Sequence, residues 1–233
     1  MLRSLLPTDR EALQAHLDLV EMPTGRVLYE MGDPAAWVYL PISGLLSLIT
    51  VMVSGTALET SIVGQESGVG FVEALGSGQM RTRVIVQVPG TAYRIRAAGF
   101  CKVFDASVAM RKAVHRQIEL CLAEDRQAIA CHGLHGVRQR FSRWLLECHD
   151  LSGRPATMPL RQEFLAVMLG VSRPAVTRIA AACQKDGIIR YSRGVVTLLD
   201  FERLEAGACE CRDSVKELRM ELNRPGSIGS CIH

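Results

Sequence analysis

Apolar and polar positions change period twice along the chain. From Met22 to Ala98 short β-rich runs alternate with turn residues. The runs are Arg26-Val27-Leu28-Tyr29, Trp37-Val38-Tyr39-Leu40, Leu45 to Val53, Val84 to Val88 and Ala92 to Ile95. Gly25, Gly32-Asp33-Pro34, Pro41, Gly44, Ser54-Gly55 and Pro89-Gly90 separate them. Turn signals every eight to twelve residues predict a β-sandwich or barrel, with Ser54-Gly55 as a hairpin turn. Before this region, residues 5 to 18 suggest a short amphipathic helix, with Leu13, Leu17 and Val20 at helical spacing. After it the turns vanish. Met110, Val114, Ile118 and Cys121-Leu122 trace one face of a single helix over 103 to 133, too long to bury its stripe on one small barrel. That stripe predicts a partner helix from a second copy. A further helix over 137 to 149 turns Val137, Phe141, Trp144, Leu145 and Cys148 inward.

The segment 160–194, LRQEFLAVMLGVSRPAVTRIAAACQKDGIIRYSRG, carries the most specific pattern. Leu165, Met168 and Leu169 give a first helix its apolar face, and Gly170-Val171 ends it. Ser172 suits the cap of a second helix and Pro174 its first turn, with Val176, Ile179 and Ala180 facing inward. Arg173, Thr177 and Arg178 then fall on the outer face, where a recognition helix meets base edges. Gly187-Ile188-Ile189 leads into a two-strand wing bearing Arg190, Tyr191 and Arg193. Helix is expected again over 198–221, and 223–233 reads as a flexible tail.

Charge sharpens this reading. The net charge is only +3. Between Arg154 and Gly194, however, the acids are Glu163 and Asp186 alone, against Arg154, Arg161, Arg173, Arg178, Lys185, Arg190 and Arg193. Such local basicity fits a polyphosphate partner, so Arg161, Gln162, Ser172, Arg173, Thr177, Arg178 and Arg193 are the candidate DNA-binding residues. The alternative reading is a sensor or interaction module whose winged helix contacts protein rather than DNA. With 48% hydrophobic residues the chain can bury real cores. The opening MLRSLLPTDREALQ has no secretory pattern, and Leu45 to Val53 is about half the length needed to span a bilayer. The eight cysteines are scattered without a disulfide framework, which suggests reduced thiols and a cytoplasmic address.

These elements in this order resemble the Crp/Fnr superfamily of bacterial transcription regulators. The resemblance runs from about Gly25 to Cys211 and is most specific in GDPAAWVYLPISGLLSL, VQVPGTAYRI, HGVRQRFSRWLL, QEFLAVMLGVSRPAVTR and LEAGACEC. It implies an α+β chain in four parts. Residues 1–102 form a jelly-roll sensor of cyclic-nucleotide-binding type, 103–135 a dimerisation helix, 136–222 a winged helix-turn-helix and 223–233 the tail. It also implies a homodimer on a palindromic operator. The partners it implies are double-stranded DNA, RNA polymerase and a small-molecule effector of unknown identity.

Departures from the family pattern bear on the ligand. Cyclic-nucleotide-binding relatives carry Gly-Glu, then Arg about ten residues on, the Glu accepting the ribose hydroxyl and the Arg holding the phosphate. The corresponding positions are Gly70, Phe71 and Arg81, the candidate effector pocket. A phenyl ring cannot accept that hydrogen bond, so cAMP is not the expected effector. No cysteine precedes Cys101, which removes the N-terminal iron–sulfur arrangement of oxygen-sensing relatives. His16, the one histidine before residue 115, lies outside the barrel and does not suit a haem ligand. In the recognition helix Pro174 stands where many relatives present Glu, so their familiar half-site does not carry over.

Other chemistry is sparse. Residues 20–100 contain no histidine, which argues against a metal-dependent cupin enzyme. Cys183, beside Lys185, is a candidate redox switch if the ammonium favours its thiolate. Cys209-Glu210-Cys211 supplies two thiols that a helix would point in divergent directions, and Cys131-His132 and His135 fall at the hinge after the long helix. No metal, cofactor or catalytic residue is assigned.

Overall fold

The computed structural model describes residue 11 and residues 13–222. The expected tail 223–233 and half of the expected helix 5–18 lie outside them. Where that helix should end, the chain is already extended: Val20 sits in strand β1 (Asp18–Met22). The predicted runs become β2 (Val27–Tyr29), β3 (Trp37–Pro41), β4 (Leu45–Val51), β6 (Arg83–Val88) and β7 (Gly90–Arg96), with β5 (Ala57–Val63) following the hairpin turn. They form two antiparallel sheets, ordered β1-β7-β3 and β2-β6-β4-β5. Alternation sets the inner layer: Met22, Tyr29, Tyr39, Leu46, Val63, Val84, Val86 and Ala92 share one buried cluster. The predicted hairpin at Ser54-Gly55 is present, with Gly55 at φ 83° and the Met52 N–H donating to Thr56.

The short helix α1 (Phe71–Leu75) begins after Gly70, whose φ is 84°. A Cβ there would lie 2.4 Å from the Trp37 carbonyl oxygen, so only glycine lets the two segments meet. The expected single helix over 103–133 is broken. Helix α2 (Ala97–Ala106) stops at extended Ser107, whose hydroxyl accepts from the Met110 N–H and caps α3 (Val108–Leu134). Helix α3 is about 40 Å long at about 1.5 Å per residue. Much of the stripe read from sequence is used within the protomer. Met110, Ala113 and Val114 are buried with Val38, Leu40, Ile95 and Phe100, and Ile118 packs beside them. The outer flank of that stripe stays open. Val108, His115, Leu122 and Ile129 recur on it every seven residues, and Leu122 and Ile129 are 49% and 73% exposed.

Helix α4 (Val137–Leu151) carries Phe141, Trp144, Leu145 and Cys148 into the third core, as expected. That core belongs to the winged helix but also includes Leu45 and Val88 of the barrel, so the barrel and the C-terminal unit share packing. Strand β8 (Thr157–Pro159), unforeseen in the sequence, makes the wing three-stranded. Its order is β8-β10-β9, with β9 (Ile189–Ser192) and β10 (Val195–Leu198). Between β8 and β9 lie α5 (Gln162–Leu169) and α6 (Arg173–Lys185). The helix expected over 198–221 is two pieces, α7 (Phe201–Ala206) and α8 (Cys211–Leu222). Cys209 therefore precedes α8, and the divergence expected of CxC on a helix does not arise. Among the described residues no single helix is long and apolar enough to cross a membrane.

Candidate nucleic-acid interface

Helices α5 and α6 cross at 103°, within the range of helix-turn-helix units. Gly170 makes the turn with φ 61° and ψ 39°, and Leu165, Met168, Leu169, Val176, Ala180 and Cys183 lock the two helices onto α4. Arg140 of α4 clamps the same corner from below, donating to the Leu169 carbonyl at 2.9 Å. This packing fixes which face of α6 looks out. Arg173, Thr177 and Arg178 are exposed at its N-terminal half. The Thr177 hydroxyl lies 3.1 Å from the Arg173 carbonyl and 3.3 Å from Gln162 Oε1, which ties Gln162 to the recognition helix. Glu163 stands 3.8 Å from Arg173, an exposed pair worth little in water.

Ser172 occupies the N-cap position through its backbone: its carbonyl accepts from the N–H groups of Ala175 and Val176. Its side chain makes no capping hydrogen bond, contrary to the sequence expectation, and the hydroxyl is exposed. The wing reaches the same surface. Arg193 (φ 50°) and Gly194 (φ 75°) form its turn, and both positive angles suit a tight hairpin. A Cβ at Gly194 would meet Arg161 Cγ at 3.3 Å, so the wing tip abuts the N-cap of α5. Tyr191 is turned inward, its hydroxyl donating to the Leu160 carbonyl at 3.0 Å, and it holds the wing in place. All seven candidate residues thus lie on α5, α6, their caps or the wing tip.

Cys183 is part of the core instead. It is 1% exposed, and burial pushes its thiol above the usual range, the reverse of what an activated thiolate requires. The cation that acts on it, Arg138, does not overcome that desolvation. The redox-switch expectation therefore loses its physical basis.

In the β-roll, Gly70 and Phe71 open α1, and Arg81 precedes β6. The Phe71 ring is fully buried, 6.5 Å from the Phe100 ring, among Val38, Leu40 and Ile95. Arg81 is exposed between Met80 and β6. Sequence reasoning also missed Glu59, a fully buried carboxyl on β5. Trp144 Nε1 of α4 donates to its Oε1 at 2.7 Å, and Ser47 of β4 donates to Oε2. Burial raises it from 4.5 to about 7, against the lowering effect of those two hydrogen bonds and of Arg143. Nothing in ALETSIV marks this role, because the partner lies 85 residues away.

A β-roll followed by a basic helix-turn-helix is the architecture of a transcriptional regulator. The comparisons agree. The family model for a Cyclic nucleotide-binding domain matches residues 19–107, and that for a Crp-like helix-turn-helix domain matches 139–206. Together they cover most of the chain, which belongs to the Crp/Fnr family of transcriptional regulators. Similar solved structures include a regulator assigned to the Crp/Fnr family from Eubacterium rectale. It is 18% identical, with 91% of this chain and 96% of that one covered and a TM-score of 0.70. A CRP/FNR-family regulator of Thermus thermophilus is 21% identical, covering 84% and 98%, with a TM-score of 0.66. The c-di-GMP-responsive global regulator CLP of Xanthomonas campestris is 23% identical, covering 82% and 98%, with a TM-score of 0.63. At these identities the likeness is one of fold. Comparison with curated proteins gave no match.

Proposed function

We propose that this regulator binds a palindromic DNA operator as a homodimer, reading bases with α6 and holding phosphates with the start of α5 and the wing tip. One observation carries the reading. Arg173, Thr177 and Arg178 face outward from a helix whose inner face is locked, and Arg161 and Arg193 flank it on the same basic surface. Arg178, about one and a half turns into α6, is placed to reach a guanine edge. Ser172, Arg161 and Gln162 sit near helix N-termini, where donors meet phosphate.

Dimerisation runs through the open heptad face of α3, with Leu122 and Ile129 at its centre. On this reading residues 1–102 are the sensor, 103–135 the dimer seam and 136–222 the DNA-binding unit. The protein works in the cytoplasm and has no catalytic role. The effector is not cAMP held in the usual way, because Phe71 is committed to the core and offers no acceptor. Titration of the protein into labelled duplex at several salt concentrations tests DNA binding: affinity should fall steeply as salt rises. A chain that binds no duplex at low salt, yet retains a protein partner through α6, would replace this reading with the protein-contact one.

A further inference from the structure

Four side chains remote from the DNA surface converge where α3 ends and α8 begins. Cys131 and His135 lie one turn apart at the end of α3, and Cys209 and Cys211 flank Glu210 where α8 begins. Their three sulfurs and one ring nitrogen all lie within 4.8 Å of one another. We propose that this Cys131–His135–Cys209–Cys211 cluster is a tetrahedral site for one thiophilic divalent metal ion, zinc by preference.

The distances suit the ion. With zinc–sulfur bonds of about 2.3 Å and zinc–nitrogen bonds of about 2.05 Å, tetrahedral angles put two sulfurs about 3.8 Å apart and a sulfur and nitrogen about 3.6 Å apart. Cys131 Sγ and Cys209 Sγ are separated by 3.5 Å, and Cys211 Sγ and His135 Nδ1 by 3.4 Å. Only small shifts are needed to close a coordination shell. The three cysteines are buried and His135 is 16% exposed, so the ion would be enclosed, as in a structural site with no open position for water.

The surroundings are those of a metal site rather than of packed thiols. His135 presents Nδ1 to the cluster while its Nε2 lies 3.1 Å from Glu210 Oε1, the carboxylate–histidine pairing that fixes the tautomer of a ligand. Gln127 Nε2 donates to Cys211 Sγ at 3.1 Å, a bond a thiolate accepts better than a thiol. The Arg143 guanidinium acts on both Cys131 and Cys209 and would offset the net negative charge of three thiolates on a dication. A Cys131–Cys209 disulfide would leave Cys211, His135 and Glu210 without a reason to converge. A multi-iron cluster would need ligands spread over several irons, more widely than these are. Divalent zinc accepts this mixed sulfur and nitrogen set without redox chemistry.

The site ties the hinge between α3 and α4 to the C-terminal helix, residues more than seventy positions apart in sequence. Binding there would close a long loop, and the ion would contribute to folding. The test uses the full chain, purified without chelator or metal-affinity column, with DNA absent, so its outcome is independent of the operator-binding proposal. Elemental analysis should find about one zinc per protomer. Cobalt exchanged into the site should give the strong visible absorption of tetrahedral coordination and a sulfur-to-cobalt charge-transfer band. Cys211→Ser should lose both signals, and Cys183→Ser, in a different core, should keep them. Glu210→Gln, whose side chain is exposed and should not disturb folding, should weaken zinc about 10- to 100-fold in chelator competition. Wild-type protein that carries no metal and takes up neither zinc nor cobalt overturns the proposal. So does an intact mass showing a Cys131–Cys209 disulfide as the purified state, and stoichiometric iron in place of zinc overturns the choice of ion.

Discussion

Replacing Glu59 by glutamine should change how stability depends on pH more than it changes stability itself. Glu59 joins β4, β5 and α4 through Ser47 and Trp144, and glutamine can keep both contacts: its carbonyl accepts from Trp144 Nε1 and its amide can donate to Ser47. Glutamine cannot ionise. In the wild-type fold the carboxyl rises from 4.5 to about 7 because burial opposes its charge, with Glu147 adding to the rise and Arg143 opposing it. Below about pH 4.5 it is neutral in both folded and unfolded chains, and the neutral carboxyl's contribution is fully present. As pH rises, the unfolded chain ionises first while the folded one must stay neutral or bury a charge. Stability is therefore lost progressively until pH passes about 7 and then levels off. A rise from 4.5 to about 7 corresponds to about 3 kcal/mol, at about 1.4 kcal/mol per tenfold change. Urea denaturation of wild type and Glu59→Gln across pH 5 to 9, followed by tryptophan fluorescence and by circular dichroism to test for a single transition, gives the difference directly. The variant should gain on wild type by a few kcal/mol between the two ends of that range. Parallel stability–pH curves would refute the reasoning and place the Glu59 carboxylate in an environment that solvates its charge.

Arg178→Ala should weaken specific binding about tenfold to a hundredfold and relax preference at one position per half-site, whereas Arg161→Ala should weaken all sequences alike and reduce the salt slope by about one ion per subunit. Titrations on matched and scrambled operators separate them, and equal losses on both DNAs for Arg178→Ala would make it a phosphate clamp. Ile129→Asp places a charge on the open face of α3 and should give monomers in sedimentation, while leaving thermal unfolding of the protomer nearly unchanged. Ile118→Asp is the poorer choice, because Ile118 also packs inside the protomer. Calorimetry should show no micromolar cAMP binding, and heat of binding at that level would overturn the inference from Phe71.

The turn signals between residues 25 and 90 were enough to place most of the strands, because glycine and proline punctuate regular structure through backbone constraints local to each residue. The helix-turn-helix was legible for the same reason: Gly170 and Pro174 specify a turn and a helix start, and the apolar spacing specifies the inner face. Ser107 was harder to read. Serine is tolerated inside helices, and only its side-chain bond to the Met110 N–H makes it a cap. Met110 and Val114 of the stripe are covered by the barrel and Leu122 is left open, a division that periodicity cannot make because it shows only that a face is apolar. The Cys131–His135 and Cys209–Cys211 pairs were each visible in the sequence. Their convergence depends on how α8 folds back along α3, which no local pattern encodes.

The claim that α6 reads a symmetric operator is tested most directly by selecting bound DNA from a random library with the purified full-length protein and sequencing the survivors. The account predicts an inverted repeat whose half-sites are centred about one helical turn, roughly 10 to 10.5 base pairs, apart, with a guanine in each half-site that loses its preference in Arg178→Ala. Enrichment of a single asymmetric site, or none above the starting library, would contradict it.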